Sequence, residues 1–415
     1  MNLIKKDLDE NLWIIFFPDY IGGQSIGGGI VHFTRHGYAI FTPDNSPLPT
    51  TAVWDIEFSR TGKKFFATSK GLVIYDGNSW ILYDSTNSPL KDVLNTIEIE
   101  TDTILWIGTY RTGLYRFDGY SWQNWNYQNS PLYSLNIEFL KIDQNKKLWI
   151  GSRYGALQSY WNNNWETYSY GYFTPFTPYN FNNPTIYSGD FDRNGDLWIL
   201  GLSNSTQSPR KRAIAKVKDS VWNIYDNSIV PFLGYPNYFG IAVDSNNIKW
   251  FADIFKGLIR FNDTSWTLMD SSNSPIRKAF SIVVDKFNNK IFPAELNQVD
   301  SSGNYLMGIV FYNEKGVVLS QKENNFTPSS FEVYQNYPNP FNSSTTISFS
   351  LPANSDVDLI IFNTIGEVIF KTRLDNLQAG KKYYQIQFDH LTSGIYFYSV
   401  RTKFGIQTRK MLLIK

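Results

Sequence analysis

Seven times between residues 7 and 291, an acidic or small polar residue stands six positions ahead of a bulky apolar one. The pairs are Asp7/Trp13, Ser59/Phe65, Glu100/Trp106, Asp143/Trp149, Asp192/Trp198, Asp244/Trp250 and Asp285/Ile291. Their apolar members lie 52, 41, 43, 49, 52 and 41 residues apart, a period that predicts stacked units of propeller-blade size. Each is followed by a small residue that opens an apolar strand (Gly29, Gly71, Gly113, Gly155, Ala213, Gly257, Gly308). Another large apolar residue comes nine or ten positions later (Tyr38, Trp80, Trp122, Trp165, Trp222, Trp266, Val317). Two anchors recurring in phase over seven copies predict an all-β, seven-bladed β-propeller.

The tryptophans divide the chain. All 13 fall between Trp13 and Trp266, so the last 85 of the 415 residues are built differently. The polar stretch Gln321 to Ser330 marks the seam, which predicts a propeller over 1–320, a linker over 321–330 and a second domain over 331–415. With a net charge of +1, neither part carries the basic field that nucleic-acid binding requires. Absence of cysteine excludes disulfides and thiolate chemistry. No apolar run reaches the roughly 18 residues of a membrane helix. Met1 to Trp13 shows no secretory signal, and the expectation is that an N-terminal segment precedes it.

One copy gives the blade. Val93 to Ile99 alternates, Leu105 to Ile107 is a second strand ending at Gly108, and Gly113 to Phe117 is a third. Asp118-Gly119 marks a hairpin turn, and Trp122 to Tyr127 is the fourth strand. An Asn-Ser-Pro link at Asn45, Asn87, Asn129 and Asn273 leads onward. The recurrent carboxylates are expected to be turn residues accepting backbone N–H bonds, and the recurrent tryptophans to be core between blades.

Function is expected where the copies disagree. The hairpin turns on one rim hardly vary, whereas on the other rim the spacing from anchor to next small residue runs 16, 6, 7, 6, 15, 7 and 17. Insertions therefore lie at Phe16 to Gly28, Leu200 to Arg212 and Ala294 to Met307, with an aromatic connection after Trp165. The candidate ligand-binding residues on this rim are Tyr110, Arg111, Arg153, Tyr154, Tyr170, Tyr172, Arg210, Arg212, Phe255 and Lys256. Aromatic planes beside guanidinium forks suit sugars or a peptide. Of the three histidines, His32, His36 and His390, none lies on this rim. Neither a catalytic triad nor a metal-ligand spacing is present, so no catalytic residue, metal or cofactor is assigned. Carboxylates in the rim loops, Asp19, Asp253, Glu295 and Asp300, leave a paired-carboxylate site open.

The repeat Leu105-Trp106-Ile107-Gly108-Thr109, Gly113-Leu114-Tyr115-Arg116-Phe117-Asp118-Gly119, Trp122 and Asn129-Ser130-Pro131-Leu132 resembles the two-component regulator propeller repeats. Members of that family often form periplasmic sensors of hybrid histidine kinases in Bacteroidota and commonly recognise glycans. This chain has neither a membrane helix nor room for kinase modules, so the resemblance implies the fold more than the signalling. Residues 331–415 resemble the type A C-terminal sorting domain of the type IX (Por) secretion system. The likeness rests on Tyr334 to Asn342 with Tyr337-Pro338-Asn339-Pro340-Phe341, on Thr346 to Pro352 and Ile361 to Gly366, on Gly394-Ile395-Tyr396-Phe397-Tyr398, and on Lys410 to Lys415. By its alternation this tail is a small Ig-like β-sandwich. The resemblance implies export by the type IX translocon to the outside of the cell, with a sortase-like peptidase removing the domain and attaching the cargo to surface lipopolysaccharide.

These readings together predict a secreted or cell-surface propeller that binds an extracellular glycan or peptide. A lyase or glycosidase on the same fold, or an adhesive module without a pocket, are the alternatives. Fold alone does not choose among them.

Overall fold

The structure, a computed structural model, describes residues 2–17, 19–21, 24–34, 37–153, 155, 157–168, 185–202, 212–218, 221–226, 228–231, 233, 238–300, 303–313, 316–319, 331–336, 338–388 and 391–414. Among them every regular element is a strand. The chain divides into two compact units. One comprises Met1–Phe33, Ala39–Pro43 and Pro47–Ser320; the other comprises Gln321–Lys415 together with Thr34–Tyr38 and Asp44–Ser46.

The first unit is a β-propeller. Among the described residues its sheets follow the repeat, six antiparallel sheets of four strands and one of five, each taken from one contiguous stretch of chain, with a two-stranded hairpin, Asp19–Ile21 and Gln24–Ile26, within the first stretch. The third sheet is typical, with strands Leu94–Ile99, Leu105–Thr109, Leu114–Phe117 and Trp122–Trp125 in that spatial order.

The six-residue spacing has a chemical cause. Asp143 opens the hairpin between first and second strands, and its Oδ1 accepts the N–H groups of Asn145 (2.8 Å) and Lys147 (3.0 Å). Its Oδ2 accepts the indole N–H of Trp149 at 3.1 Å. The same indole bond joins Trp13 to Asp7, Trp106 to Glu100, Trp198 to Asp192 and Trp250 to Asp244, at 2.9–3.0 Å. The carboxylate thus closes the turn and satisfies the one polar atom of the tryptophan. Where the anchor is Phe65 or Ile291 the turn residue still caps backbone, through Ser59 and Asp285.

The small residue opening the third strand answers to a close approach. Gly71, Gly113 and Gly257 have φ of 126°, 91° and 104°, and a Cβ on each would stand 2.2 Å from the carbonyl oxygen of Tyr83, Trp125 or Met269. Gly113→Ala therefore combines a disfavoured backbone with a backbone clash and should cost about 2 to 4 kcal/mol. A denaturant midpoint like that of the parent would show the assignment to be wrong.

Neighbouring sheets share apolar cores. Phe65, Leu72, Leu94, Ile107 and Phe117 pack the second sheet on the third, and Trp198, Ile214, Phe251 and Phe261 pack the fifth on the sixth. The seventh packs on the first through Ile291 with Ile4, Leu12 and Ile14. Hydrogen bonds between turns follow the same circuit: Arg193 N–H donates to Asn247 (2.9 Å), Ser245 N–H to Asn288 (2.8 Å) and Lys286 N–H to Glu10 (3.0 Å). Two seams also bury a lysine. Lys249, at the head of a second strand, lies 3.6 Å from Asp192 and 2.6 Å from Asp263; Lys290, its counterpart in the seventh sheet, lies 2.9 Å from Asp244.

The second unit has two sheets. Glu332–Val333, Ser344–Leu351 and Gly380–Gln387 form one; Val368–Leu377, Ser355–Asn363, Gly394–Thr402 and Gly405–Leu413 form the other. Alternate residues from both, among them Ile347, Phe349, Leu359, Ile361, Tyr398 and Met411, fill its core.

Candidate functional site

A backbone irregularity builds the site. In six of the seven sheets the pairing of first and second strands slips by one residue at the same place, as between Val53 and Asp55 or Leu94 and Thr96. The extra residues include Trp54, Asn95, Glu138 and Tyr187, and all four line one cavity. Bulges unpair a residue and re-aim its side chain, as they commonly do beside binding sites.

That cavity, about 550 Å³, runs along the first strands of the first five sheets and opens at the rim whose loops vary in length. Phe17, Trp54, Tyr110, Arg153 and Tyr187 stand toward that rim, and Phe17 stacks on Trp54 with centroids 5.1 Å apart. Deeper lie Lys5, Asp55, Glu57, Glu98 and Lys141. A smaller cavity of about 180 Å³ opens among the hairpins at Asp76, Asp102 and Gly119 on the other rim.

The polar lining is a charge network. Lys5 lies 2.5 Å from Glu57 and 3.2 Å from Asp55, whose other oxygen accepts from Thr96 (3.1 Å) and the Ile97 N–H (3.0 Å). Glu98 accepts the Ile142 N–H at 3.0 Å, and Arg153 lies 3.6 Å from Glu138. Burial pushes the Glu98 carboxyl up to about 7 against the pull of Lys141, and burial likewise raises Asp55, Glu138 and Asp190. Burial opposes the charge on Lys5, but Asp55 and Glu57 outweigh it and raise its pKa. Lys141 is raised chiefly by Glu98.

Of the rim residues singled out in the sequence, the structure brings Tyr110 and Arg153 into the cavity. Arg111 instead turns onto the Tyr110 ring, 4.8 Å from its centroid. Phe255 and Lys256 sit on a tight turn whose N–H groups bond Asp253 (2.7 and 3.2 Å) and do not line the cavity. Tyr154, Tyr170, Tyr172 and Arg210 lie outside the described residues, and Arg212 begins the strand Arg212–Lys218. The insertion Ala294 to Met307 is largely an extension of the paired strands Lys290–Val299 and Tyr305–Asn313. Glu295 on it is held by Arg277 (2.7 Å) and Lys278 (2.8 Å). Asp300 closes a turn onto the Asn304 N–H. Asp253, Glu295 and Asp300 therefore do not meet in the cavity. His32 stacks on Trp13 at 3.9 Å, and burial lowers its pKa to about 4, so it is neutral at pH 7. Among the described residues no group of three acidic or histidine side chains has the geometry of a metal site.

Sequence reading missed Trp54, Asp55, Glu57, Glu98, Glu138 and Lys141. The available signal was charge on strands whose alternate residues are core, as in Val53-Trp54-Asp55-Ile56-Glu57.

In the second unit the motif residues converge on the last strand. Phe341 is buried, its N–H donates to Leu412 O (2.9 Å), and its carbonyl accepts from Ile414 N–H (2.9 Å). Asn339 accepts the Leu412 N–H (2.7 Å), Gln335 donates to Lys410 O (2.6 Å), and Asn336 donates to Pro338 O (3.0 Å) and Thr345 (2.9 Å). Gly394 pairs with Leu413, and the Tyr396 hydroxyl donates to Thr392 O (2.9 Å). Lys410 pairs with Phe397 and is exposed; Tyr337 and Lys415 lie outside the described residues.

Residues 335–415 match the secretion system C-terminal sorting domain. The sorting domain directs the protein by the type IX route to the cell surface or the extracellular space, and so engages that secretion machinery. No curated protein matches the chain. Among solved structures it is similar to the extracellular domain of BT3049 of B. thetaiotaomicron, from a hybrid two component system (15% identity, TM-score 0.54), covering 99% of this chain and 54% of that one. It is also similar to the extracellular domain of BT4673 of B. thetaiotaomicron, a one component system (13% identity, TM-score 0.53), covering 99% and 56%. The chain thus spans just over half the length of these domains, and the likeness is one of fold. No helix among the described residues is long and apolar enough to cross a membrane.

Proposed function

We propose that the protein is an exported seven-bladed propeller that binds an extracellular glycan or peptide in the cavity on its length-varied rim. The propeller occupies 1–320, a linker 321–330, and an Ig-like sorting sandwich 331–415, which a sortase-like peptidase removes. The observation that carries the reading is the convergence of Trp54, Tyr110, Tyr187 and Arg153 on a cavity of about 550 Å³. Its size suits a small ligand or a few sugar units, and its aromatic mouth suits their apolar faces.

The test is a glycan and peptide array with the parent and with Trp54→Ala, Tyr110→Ala and Arg153→Ala. Each variant should weaken binding at least tenfold, whereas Asp118→Ala on the opposite rim should leave it unchanged. Equal loss from Asp118→Ala would refute the placement. A second reading, a polysaccharide lyase or glycosidase, is favoured by Tyr110 and Arg153 sharing the cavity with Glu98 and Glu138. Release of new reducing ends from a bound polysaccharide would select it.

A further inference from the structure

The cavity has a charge sign as well as a shape. Four lining carboxylates, Asp55, Glu57, Glu98 and Glu138, face three cations, Lys5, Lys141 and Arg153. Asp190 adds a fifth acid, acting on Lys141 from the fifth sheet. Each lysine is flanked by two acids, Lys5 by Asp55 and Glu57, Lys141 by Glu98 and Asp190. Arg153, the fork that would seize an anionic sugar, already faces Glu138 at 3.6 Å. A carboxylate or sulfate entering here meets an acid surplus inside a low-dielectric wall, whereas an ammonium group meets acids that outnumber their partners.

We propose that the cavity selects a glycan whose sugars carry free amines, such as a glucosamine oligomer, over neutral or acidic glycans. The proposal rests on the cavity being the binding site, and it gives that site a ligand class. The aromatic mouth of Phe17, Trp54, Tyr110 and Tyr187 offers planes to pyranose faces, which favours an amino sugar over a lysine side chain. The titration behaviour agrees. Burial should lower both lysines, yet their acids raise both, while burial moves Asp55, Glu98 and Glu138 toward neutrality, so the acid surplus belongs to neutral and higher pH.

The experiment is calorimetry on the full chain with four probes, a glucosamine tetramer, its N-acetylated counterpart, a tetragalacturonate and tetralysine, at pH 7, because below it Glu98 would lose the charge the proposal invokes. The glucosamine tetramer should bind at least tenfold more tightly than the N-acetylated one, and added salt should erode that advantage. Glu57→Gln and Glu98→Gln should each shrink the ratio of the two affinities, with an unchanged melting transition showing that the fold is intact; an unchanged ratio in both variants overturns the proposal. Equal or tighter binding of the N-acetylated tetramer or the galacturonate overturns the charge assignment and leaves the cavity as a binding site. Tetralysine binding with the glucosamine tetramer excluded overturns it in favour of a peptide. Binding of none of the four overturns it too, and the array with Tyr110→Ala and Arg153→Ala then decides separately whether the cavity binds anything.

Discussion

Asp244→Ala should lower the stability of the propeller by about 3 to 5 kcal/mol, the range for stripping the partner from a buried charge. The carboxylate is fully buried and accepts four hydrogen bonds, from the Asn246 and Ile248 N–H groups, the Trp250 indole and Lys290. Removal leaves the indole without its acceptor and a lysine of zero exposure with the Asn288 carbonyl but no acid. Asp143 is the contrasting case. It makes the same turn and indole bonds but among the described residues no lysine pairs with it, so Asp143→Ala should cost only about 0.5 to 2 kcal/mol, as loss of other caps does. Adding Lys290→Met to Asp244→Ala should restore part of the loss; a double variant no more stable than the single one would argue against a stranded charge.

Acid titration gives the same test another axis. Burial acts to raise the Asp244 carboxyl, but the bonds from Trp250, Lys290 and Ile248 outweigh it and hold it below the usual range. The folded state therefore binds this proton less readily than the unfolded chain. The stabilisation is complete above the unfolded carboxylate value near pH 4 and is lost as pH falls through the lower folded value. Asp244→Ala should flatten that part of the acid limb.

The second large effect concerns export. Phe341 and Met411 are buried in the sorting domain, and Phe341 holds the last strand through both its backbone groups. Truncating each to Ala should cost about 2 to 5 kcal/mol. A domain of this size holds roughly 4 to 13 kcal/mol in all, so the double variant should unfold the tail. In a type IX-competent host, with a signal peptide supplied, the protein should then stop reaching the cell exterior, as it should when 331–415 is deleted outright. The propeller should stay folded in both cases, because its cores are closed among its own sheets. Normal extracellular amounts of either variant would contradict the role of the tail.

The sheets were legible because a local chemical unit repeats. One carboxylate spans one hairpin, taking N–H groups two and four residues on and an indole six residues on, and that reach fixed the spacing. The glycines were legible for a like reason, since a single carbonyl leaves Gly113 no room for a side chain. The cavity was not. Its lining comes from five sheets some 40 to 50 residues apart in the chain, and bulges that no single-strand pattern announces turn Trp54, Asn95, Glu138 and Tyr187 inward. Loop length pointed to the rim at which the cavity opens but chose residues by their chemistry on the loops, so it named Phe255 and Lys256, which a tight turn holds elsewhere, and passed over strand carboxylates within the channel.

The buried lysines bear on how similar units find their places. Four second strands begin with Leu (Leu12, Leu105, Leu148, Leu197), whereas the second, sixth and seventh begin with Lys64, Lys249 and Lys290, of which Lys249 and Lys290 are fully buried. A sheet of either kind would fit a wrong neighbour by shape, since the hairpins are alike. It would not fit by charge: Lys290 set against the second sheet would find Ser59 in place of Asp244, and a buried ammonium without an acid is costly enough to reject that docking. Each lysine thus refuses the one turn that carries no acid, that of Ser59, so the odd unit is kept out of two places in the circuit while the nearly identical units sort themselves during folding.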